Sequence, residues 1–480
     1  MLSATMRFRM NPVPFKSRFA PSPTGLLHLG NVRTALFNYL AARHAQGVLL
    51  LRIEDTDAMR GHEKYAVALE QDLRWLGLEW QEGPGQGGKH APYAQSQRGA
   101  IYARYFDQLE SSGCAYPCFC SEHELEIARK TAIAAGRPPR YSGRCFRLKS
   151  EEVAARRAEG RPATLRFHVA DGKTVEFDDQ VRGRQTFATS DIGDFIIRRS
   201  DGTPAFFFCN AIDDAVMDVS LVLRGEDHLT NTPRQILLLQ TLGLPVPTYA
   251  HIALVVGSDG APLSKRTGSR SVQELREQGF LPLAVNNYLA RLGHTYESNA
   301  LLDLTGLADA FDPARLHKAP ARFDEAQLLH WQREAVRAAA VTTLWDWMEA
   351  AVGSLVPEVE RTAFVEAVRG NIVFPPDARH WAQAIYDDLL DLNHAAHEAA
   401  RTAGEEFYDI ARRALEKHGT DFKALSQMVK QDTGLAGKAL FQPLRAVLTG
   451  ELDGPEMAKL LPLIGLDRAH RRIEKVLEEM

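Results

Sequence analysis

Residues Phe19–Asn31 read FAPSPTGLLHLGN. The apolar run at 15–20 that leads into them has the character of a buried strand, and Pro21, Pro23 and Gly25 end it in a tight turn. Apolar residues then recur at helical spacing through LGNVRTALFNYLAARHAQG, with Gly47 as the expected C-cap, and a second apolar run, VLLLRI, follows at 48–53. Strand, helix and strand within so short a span make a βαβ unit, so the sequence predicts a parallel sheet. The turn lies where strand feeds helix, and the free amides of a helix N-terminus attract anions. His28 and Gly30 stand at that mouth. An imidazole can donate to a phosphate, and a glycine lets a ligand approach the backbone closely. Taken alone, HLGN reads better as a structural turn with a surface histidine.

A second helix is expected at 61–77, after the acidic turn EDTDAMRG. From 110 to 190 the chain becomes Cys-bearing and Arg-rich, then gives short strands such as ATLRFHV and TVEF, which reads as an insertion between two halves of one fold. VSLVLRGEDHL, 219–229, is again a buried strand running into a polar turn. Beyond 320, sparse Pro and Gly and long Ala/Leu/Glu/Arg stretches predict helices. GPGQGGKH, 83–90, nearly spells a phosphate-binding loop. His90 stands where Ser or Thr is needed, no strand precedes and no helical pattern follows, so a flexible surface loop is expected.

The 480 residues exceed what one core accommodates, so three or more domains are expected. Hydrophobic content of 45% and charged content of 25% are those of an ordinary globular chain. No apolar run reaches the ~18–20 residues of a membrane span. The first residues lack the apolar segment of a secretory signal, Met6 and Met10 are alternative starts, and a cytoplasmic location is expected. With a net charge of −4, any polyanionic partner must be met by a local basic surface. Of five cysteines, Cys114, Cys118, Cys120 and Cys145 fall within 32 residues, which suggests metal or packing rather than disulfides.

RFAPSPTGLLHLGNVRTAL, LRIEDTD (51–57), LRGEDHLTNTPRQ (223–235) and PLSKR (262–266) occur in that order. Together they resemble the class I aminoacyl-tRNA synthetases, and within them the bacterial glutamyl-tRNA synthetases, over nearly the whole chain. The resemblance implies an α/β Rossmann-type class I synthetase core with an α/β insertion, followed by all-α C-terminal anticodon-binding domains. The implied divisions are 15–110 and 191–250 for the two halves of the core and 111–190 for an acceptor-end insertion. The stretch 251–325 would carry the mobile catalytic loop and stem contact, and 326–480 the anticodon-binding region. The HIGH-type motif is His28-Leu29-Gly30-Asn31, and the KMSKS-type loop is Pro262-Leu263-Ser264-Lys265-Arg266.

The implied reaction joins L-glutamate to the α-phosphate of ATP, with Mg²⁺, and passes the glutamyl group to the terminal adenosine of tRNA. Charge spreads over phosphate oxygens in the transition state, and placed cations and amides stabilise it. By resemblance His28, Gly30 and Lys265 serve this step, with Asn31 and Asp227 beside the nucleotide. Arg18 suits a side-chain carboxylate through two parallel hydrogen bonds, and Glu54 suits an ammonium group. Ser22, Phe206, Asn210 and Arg224 are implied to line the amino-acid pocket. Alternatively, Glu54 and Asp55 merely cap the following helix. Two residues depart from the family pattern: Pro262 stands where a lysine is usual, and Phe206 where a tyrosine is usual.

Cys118-x-Cys120 and Cys145 have the spacing of a Zn²⁺-binding insertion in some relatives. Those relatives complete the site with a histidine two residues after the third cysteine, where Arg147 stands here. Tyr141, a ligand type used in a related glutamyl-queuosine enzyme, and His123 are alternatives, as is a set of reduced buried thiols. A small-molecule nucleotidyltransferase shares the HxGx turn but does not need the helical C-terminal region. HKAPARFDEAQLLHWQ (317–332) and GKALFQPLRAVLTGELDGPEMAKLLPLIG (437–465) resemble the synthetase's anticodon-binding part. A non-catalytic paralogue is disfavoured by the presence of His28, Glu54 and Lys265. Helical character over 330–480 disfavours a glutaminyl enzyme, whose region there is β-barrel, and the glutamyl-queuosine enzyme, which lacks it. The expected partner is tRNA(Glu), with tRNA(Gln) left open for a relaxed or second copy, and the family is usually monomeric.

Overall fold

The computed structural model describes residues 14–56, 62–136, 140–261, 263, 270–390 and 392–480. They form two compact units, Met1–Glu274 with Asn286–Asp324, and Leu275–Val285 with Glu325–Met480.

In the first unit strands form at Lys16–Phe19 (β1), Val48–Leu51 (β2), Ala115–Cys118 (β3), Thr164–Phe167 (β4), Thr174–Asp179 (β5), Gly183–Ala188 (β6), Phe195–Arg198 (β7), Leu221–Gly225 (β8) and Thr248–Ile252 (β9). Six make one sheet in the order β2-β1-β8-β9-β5-β6. β1 is parallel to β2, with Lys16 opposite Val48, and to β8, with Ser17 opposite Leu221. β9 and β5 extend the parallel run, and β6 closes it as an antiparallel hairpin strand. The predicted βαβ unit is present as β1, the Leu29–His44 helix and β2.

That helix is fixed by burial. Leu36, Phe37 and Leu40 have no exposed surface, and each such side chain contributes roughly 1.5–3 kcal/mol. Asn38 ties helix to sheet: its carbonyl accepts from Ser17 Oγ at 2.7 Å and its Nδ2 donates to Leu223 O at 3.0 Å. The helix stops at His44, and the left-handed residue after it is Gln46, at φ 50°, rather than Gly47. Gly47 is needed for close approach instead. A Cβ there would strike the Phe15 carbonyl, which accepts from Val48 N at 2.9 Å.

The insertion is drawn differently from the sequence reading. β3, β4 and β7 form a separate antiparallel sheet, so its third strand comes from beyond residue 190. The β5–β6 hairpin, inside the expected 111–190 span, joins the large sheet. Phe177 of β5 packs on Phe187 of β6 and on Tyr249 of β9, with ring centroids 6.2 and 5.8 Å apart. An apolar alternation predicts a strand but not its neighbour. The segment 83–90 is not loose either. Gly83 pairs with Gly87, and Lys89 and His90 both reach Asp218 Oδ2, at 2.7 and 3.1 Å.

The second unit is helical, as expected beyond 320. Ten α-helices among its described residues run from Glu325–Ala338 to Leu466–Glu478. Leu344, Phe364, Leu460 and Ile464 lie in its core with no exposed surface. Among the described residues no helix is long and apolar enough to cross a membrane.

Candidate active site

β1 turns back through its helix to β2 on one side, while β8 leads through the Thr232–Leu242 helix to β9 on the other. Such a reversal opens a crevice at the carboxyl ends of the strands. A cavity of about 460 Å³ lies there, lined by Arg18, Ser22, His28, Gly30, Asn31, Glu54, Phe206, Asn210, Arg224 and Asp227. These ten are all the expected substrate and nucleotide residues except Lys265. Pro262 and Lys265 lie outside the described residues. Of their described neighbours, Leu263 lines the cavity and Ser271 bridges to His28.

His28 is the N-cap of the Leu29–His44 helix, with extended backbone at φ −106° and ψ 163°, and its side chain makes no capping hydrogen bond. The ring is therefore left to the cavity. Desolvation lowers its pKa, which favours the neutral imidazole. A Cβ at Gly30 would press on His28 Cε1 and Nδ1 at 3.3 Å, so glycine keeps the ring's place over the helix mouth.

Backbone pairing continues past the strand ends. Arg52 N donates to Phe19 O and Glu54 N to Pro21 O, both at 3.0 Å. This sets Arg18, Arg52 and Glu54 side by side. Arg52, fully buried, donates Nη1 to Asp214 Oδ1 at 2.7 Å. Its Nη2 reaches Glu54 Oε1 at 3.1 Å and Asn210 Oδ1 at 3.0 Å. Arg18 Nε reaches the same Asp214 oxygen at 3.1 Å, and its Nη1 reaches Leu223 O at 3.3 Å. Burial alone would lower the pKa of Arg52, but the carboxylates of Asp214, Glu54 and Asp213 outweigh it and raise it. Burial pushes the Glu54 carboxyl up, against Arg52.

Arg224, at the end of β8, is buried without an ion pair among the described residues. Its Nη2 donates to Thr232 Oγ1 at 2.8 Å and Gln235 Oε1 at 2.6 Å, and its Nε to His251 Nε2 at 3.2 Å. Nη1 is buried with no protein partner. Burial, then the charge of Arg18, lowers its pKa to about 10. Phe206 stacks on His228 with ring centroids 5.2 Å apart. The cavity thus offers guanidinium edges and a carboxylate on one side and a helix mouth with an imidazole on the other. Such a set can hold a zwitterion with a second carboxylate beside a phosphate.

The family of tRNA synthetases class I (E and Q), catalytic domain, matches residues 14–330, and an anticodon binding domain matches 346–477. The chain belongs to this class I synthetase family. It is 57% identical to glutamate–tRNA ligase 2 of Nitrosococcus oceani over 98% of this chain and 100% of that one. It is 55% identical to glutamate–tRNA ligase 1 of Halorhodospira halophila over 97% of each. The crystal structure of a glutamate tRNA ligase from Elizabethkingia meningosepticum, in complex with its amino acid, matches with a TM-score of 0.88. It is 29% identical and covers 97% of this chain and 99% of its own.

In this class I synthetase the cysteine cluster forms at β3 and the turn at 144–147. Cys118, Cys120 and Cys145 place their sulfurs within 4.8 Å of one another. Tyr141 Oη lies 3.4 Å from both Cys118 and Cys120 Sγ, and Cys120 Sγ is 3.6 Å from Cys145 Sγ. Sulfurs on one tetrahedral zinc are about 3.8 Å apart, from a Zn–S bond of about 2.3 Å. The donors present fit that ion. His123 is exposed on the Glu122–Ala134 helix and does not join them.

Sequence reasoning missed Arg52, Asp213 and Asp214. Asp213 is held by Arg98 Nε at 2.7 Å, Gln95 Nε2 at 2.9 Å and Tyr102 Oη at 2.8 Å. The signal was in FFFCNAIDDAV: two adjacent carboxylates in a helix whose only other polar side chain is Asn210 must be paired. Among the described residues, Glu54 and Asp55 make other contacts than a helix cap. Glu54 meets Arg52, and Asp55 accepts from Ser96 N at 2.8 Å and Ser96 Oγ at 2.6 Å.

Proposed function

We propose that this chain is an ATP-dependent glutamate–tRNA ligase. The observation that carries the reading is the single cavity in which His28 and its helix mouth share the space with Arg18, Glu54 and Arg224. Arg18 and Arg224 bind the carboxylates of L-glutamate, Glu54 its ammonium group, and Ser22, Phe206 and Asn210 complete the pocket. Asn31 and Asp227 adjoin the nucleotide, and Mg²⁺ enters with ATP.

An α-carboxylate oxygen of glutamate attacks the α-phosphorus of ATP, and pyrophosphate leaves with the bonding electrons. His28, the amides at Gly30 and Asn31, and Lys265 stabilise the charge that spreads over the phosphate oxygens. A hydroxyl of the terminal adenosine of tRNA then attacks the acyl carbon, and AMP leaves. The division of labour gives the core 15–110, the β5–β6 hairpin and 199–250, the acceptor end the β3-β4-β7 sheet with the rest of the chain between its strands, the loop and stem contact 251–325, and the anticodon 326–480. Cys118, Cys120, Cys145 and Tyr141 hold a structural Zn²⁺, which would cross-link the insertion. The enzyme acts in the cytoplasm as a monomer on tRNA(Glu).

The test is charging of labelled glutamate onto two purified transcripts. Charging of tRNA(Glu) alone establishes a discriminating ligase. Charging of tRNA(Gln), alone or as well, makes the chain a supplier of misacylated tRNA for later amidation. No charging of either overturns the ligase reading.

A further inference from the structure

Asp179 closes β5, and its carboxylate is saturated by the turn it starts and by β9. Oδ1 accepts from the amides of Val181 at 3.0 Å and Arg182 at 2.7 Å. Oδ2 lies 2.5 Å from His251 Nδ1 and 3.1 Å from the His251 amide. His251, on β9, has no exposed surface, and its Nε2 meets Arg224 Nε at 3.2 Å and Thr232 Oγ1 at 3.0 Å. A guanidinium nitrogen only donates, so His251 Nε2 is the unprotonated nitrogen and Nδ1 carries the hydrogen toward Asp179. The carboxylate fixes the tautomer, and the tautomer presents an acceptor to Arg224. Arg182, from the same turn, donates Nε to the His251 backbone carbonyl at 3.2 Å and pairs with Glu226, tying the turn to β9.

We propose that Asp179 and His251 are positioning residues for Arg224: their hydrogen-bonded chain holds the guanidinium plane so that its unpaired Nη1 meets a carboxylate of the bound amino acid. The inference rests on Arg224 belonging to the amino-acid site. A guanidinium buried without a carboxylate partner keeps its plane only through the acceptors on its other nitrogens. Thr232 and Gln235 both hold Nη2, and among the described residues His251 alone accepts from Nε. Removing the His251 acceptor therefore leaves the guanidinium anchored through Nη2 alone, able to pivot there and misaim Nη1. The β5–β6 turn, which the sequence places in the insertion, thereby acts on substrate binding without touching substrate.

The test is steady-state glutamylation with glutamate, ATP and tRNA varied in turn, on the wild type, Arg224→Gln, His251→Gln, His251→Leu and Asp179→Asn. Glutamine retains an acceptor for Arg224 Nε, and leucine keeps the bulk without it. The KM for glutamate is expected to rise about tenfold or more in His251→Leu and Asp179→Asn, the scale of one hydrogen bond to a charged group. His251→Gln should stay within about threefold, and the KM values for ATP and tRNA should not move in any of the three. Equal glutamate KM in His251→Leu and His251→Gln overturns the proposal, as does a joint rise in all three KM values. If His251→Leu does not fold by thermal unfolding, Asp179→Asn decides: an unchanged glutamate KM overturns it. An unchanged glutamate KM in Arg224→Gln instead removes Arg224 from the amino-acid site, and the proposal falls with that reading.

Discussion

Arg52 Nη1 lies 2.7 Å from Asp214 Oδ1, and both side chains are closed to solvent, at 0% and 3% exposure. The same oxygen takes Arg18 Nε, so one carboxylate anchors a structural guanidinium and one that faces the cavity. Binding geometry and folding stability are joined at this atom.

Asp214→Asn tests that junction. It removes the charge that compensates two buried cations, and breaking a buried pair on one side costs about 3–5 kcal/mol. The loss should appear as a lower denaturation midpoint at neutral pH, together with a raised glutamate KM through Arg18. Burial would raise the Asp214 carboxyl, but Arg18 and Arg52 outweigh it and hold it below the usual range. A depressed carboxyl contributes its stability in full above the unfolded value, about pH 4, and loses it as pH falls through the folded value. The gap between wild type and variant should therefore stay constant from about pH 5 to 8 and close only in acid. A gap that changes near pH 6–7 would assign the effect to another group.

Phe206→Tyr should improve substrate binding. Phe206 lines the cavity and stacks on His228 rather than filling the core, so a para-hydroxyl finds room instead of overpacking. One added hydrogen bond is worth about 1 kcal/mol, which is roughly a fivefold fall in glutamate KM at unchanged ATP KM. An unchanged or raised KM would show that the ring edge does not face the amino acid.

The cysteine cluster makes a prediction that needs no activity assay. The purified chain should carry about one zinc, read by native mass spectrometry, and Cys118→Ser should lose it, since structural zinc takes four ligands. Tyr141→Phe keeps the three thiols and should bind zinc more weakly, while His123→Ala should change nothing. A metal-free wild type purified without chelator would leave a cluster of reduced thiols.

Much of this was legible in the residues, and the rest failed for identifiable reasons. The turn at Pro21–Gly30 announces itself because two prolines and two glycines admit few backbones. Arg18, Glu54 and Arg224 lie in stretches that carry the family resemblance, which singled them out together, and the structure brings them to one cavity. Their partners were not legible. Asp214 meets Arg18 across 196 positions of chain and Asp179 meets His251 across 72, and sequence periodicity carries no information on such pairings. The β5–β6 hairpin shows the same limit: its alternation predicts strands, while membership of the large sheet is decided by Tyr249 on a strand still to come. Gly47 was legible as a glycine that matters, but for a crowded carbonyl and not for a left-handed cap.

Arg472 makes the last prediction, in the helical unit. From the Leu466–Glu478 helix it enters the core with 2% exposure and donates to four carbonyl groups. Nη1 reaches Ala384 O at 2.9 Å and also Leu448 O, while Nη2 reaches Ile385 O at 3.2 Å and also Asp387 O. These oxygens belong to the last turns of the Pro375–Tyr386 and Lys438–Thr449 helices and to the residue that caps the first. Helix C-termini leave such carbonyls unsatisfied, and a cation there is also favoured by the helix dipole. Burial lowers the pKa of Arg472 to about 10, so it remains charged at neutral pH. Arg472→Met keeps the apolar stem and removes every donor, at an expected cost of about 3–5 kcal/mol from several unpaired buried carbonyls. Arg472→Lys should fall between, because one ammonium cannot span both helix ends as a planar guanidinium does. Four of the six tryptophans, Trp331, Trp345, Trp347 and Trp381, lie in this unit, so denaturant unfolding followed by fluorescence reports on it directly. A loss below about 1 kcal/mol in Arg472→Met would mean that water replaces the guanidinium at these helix ends.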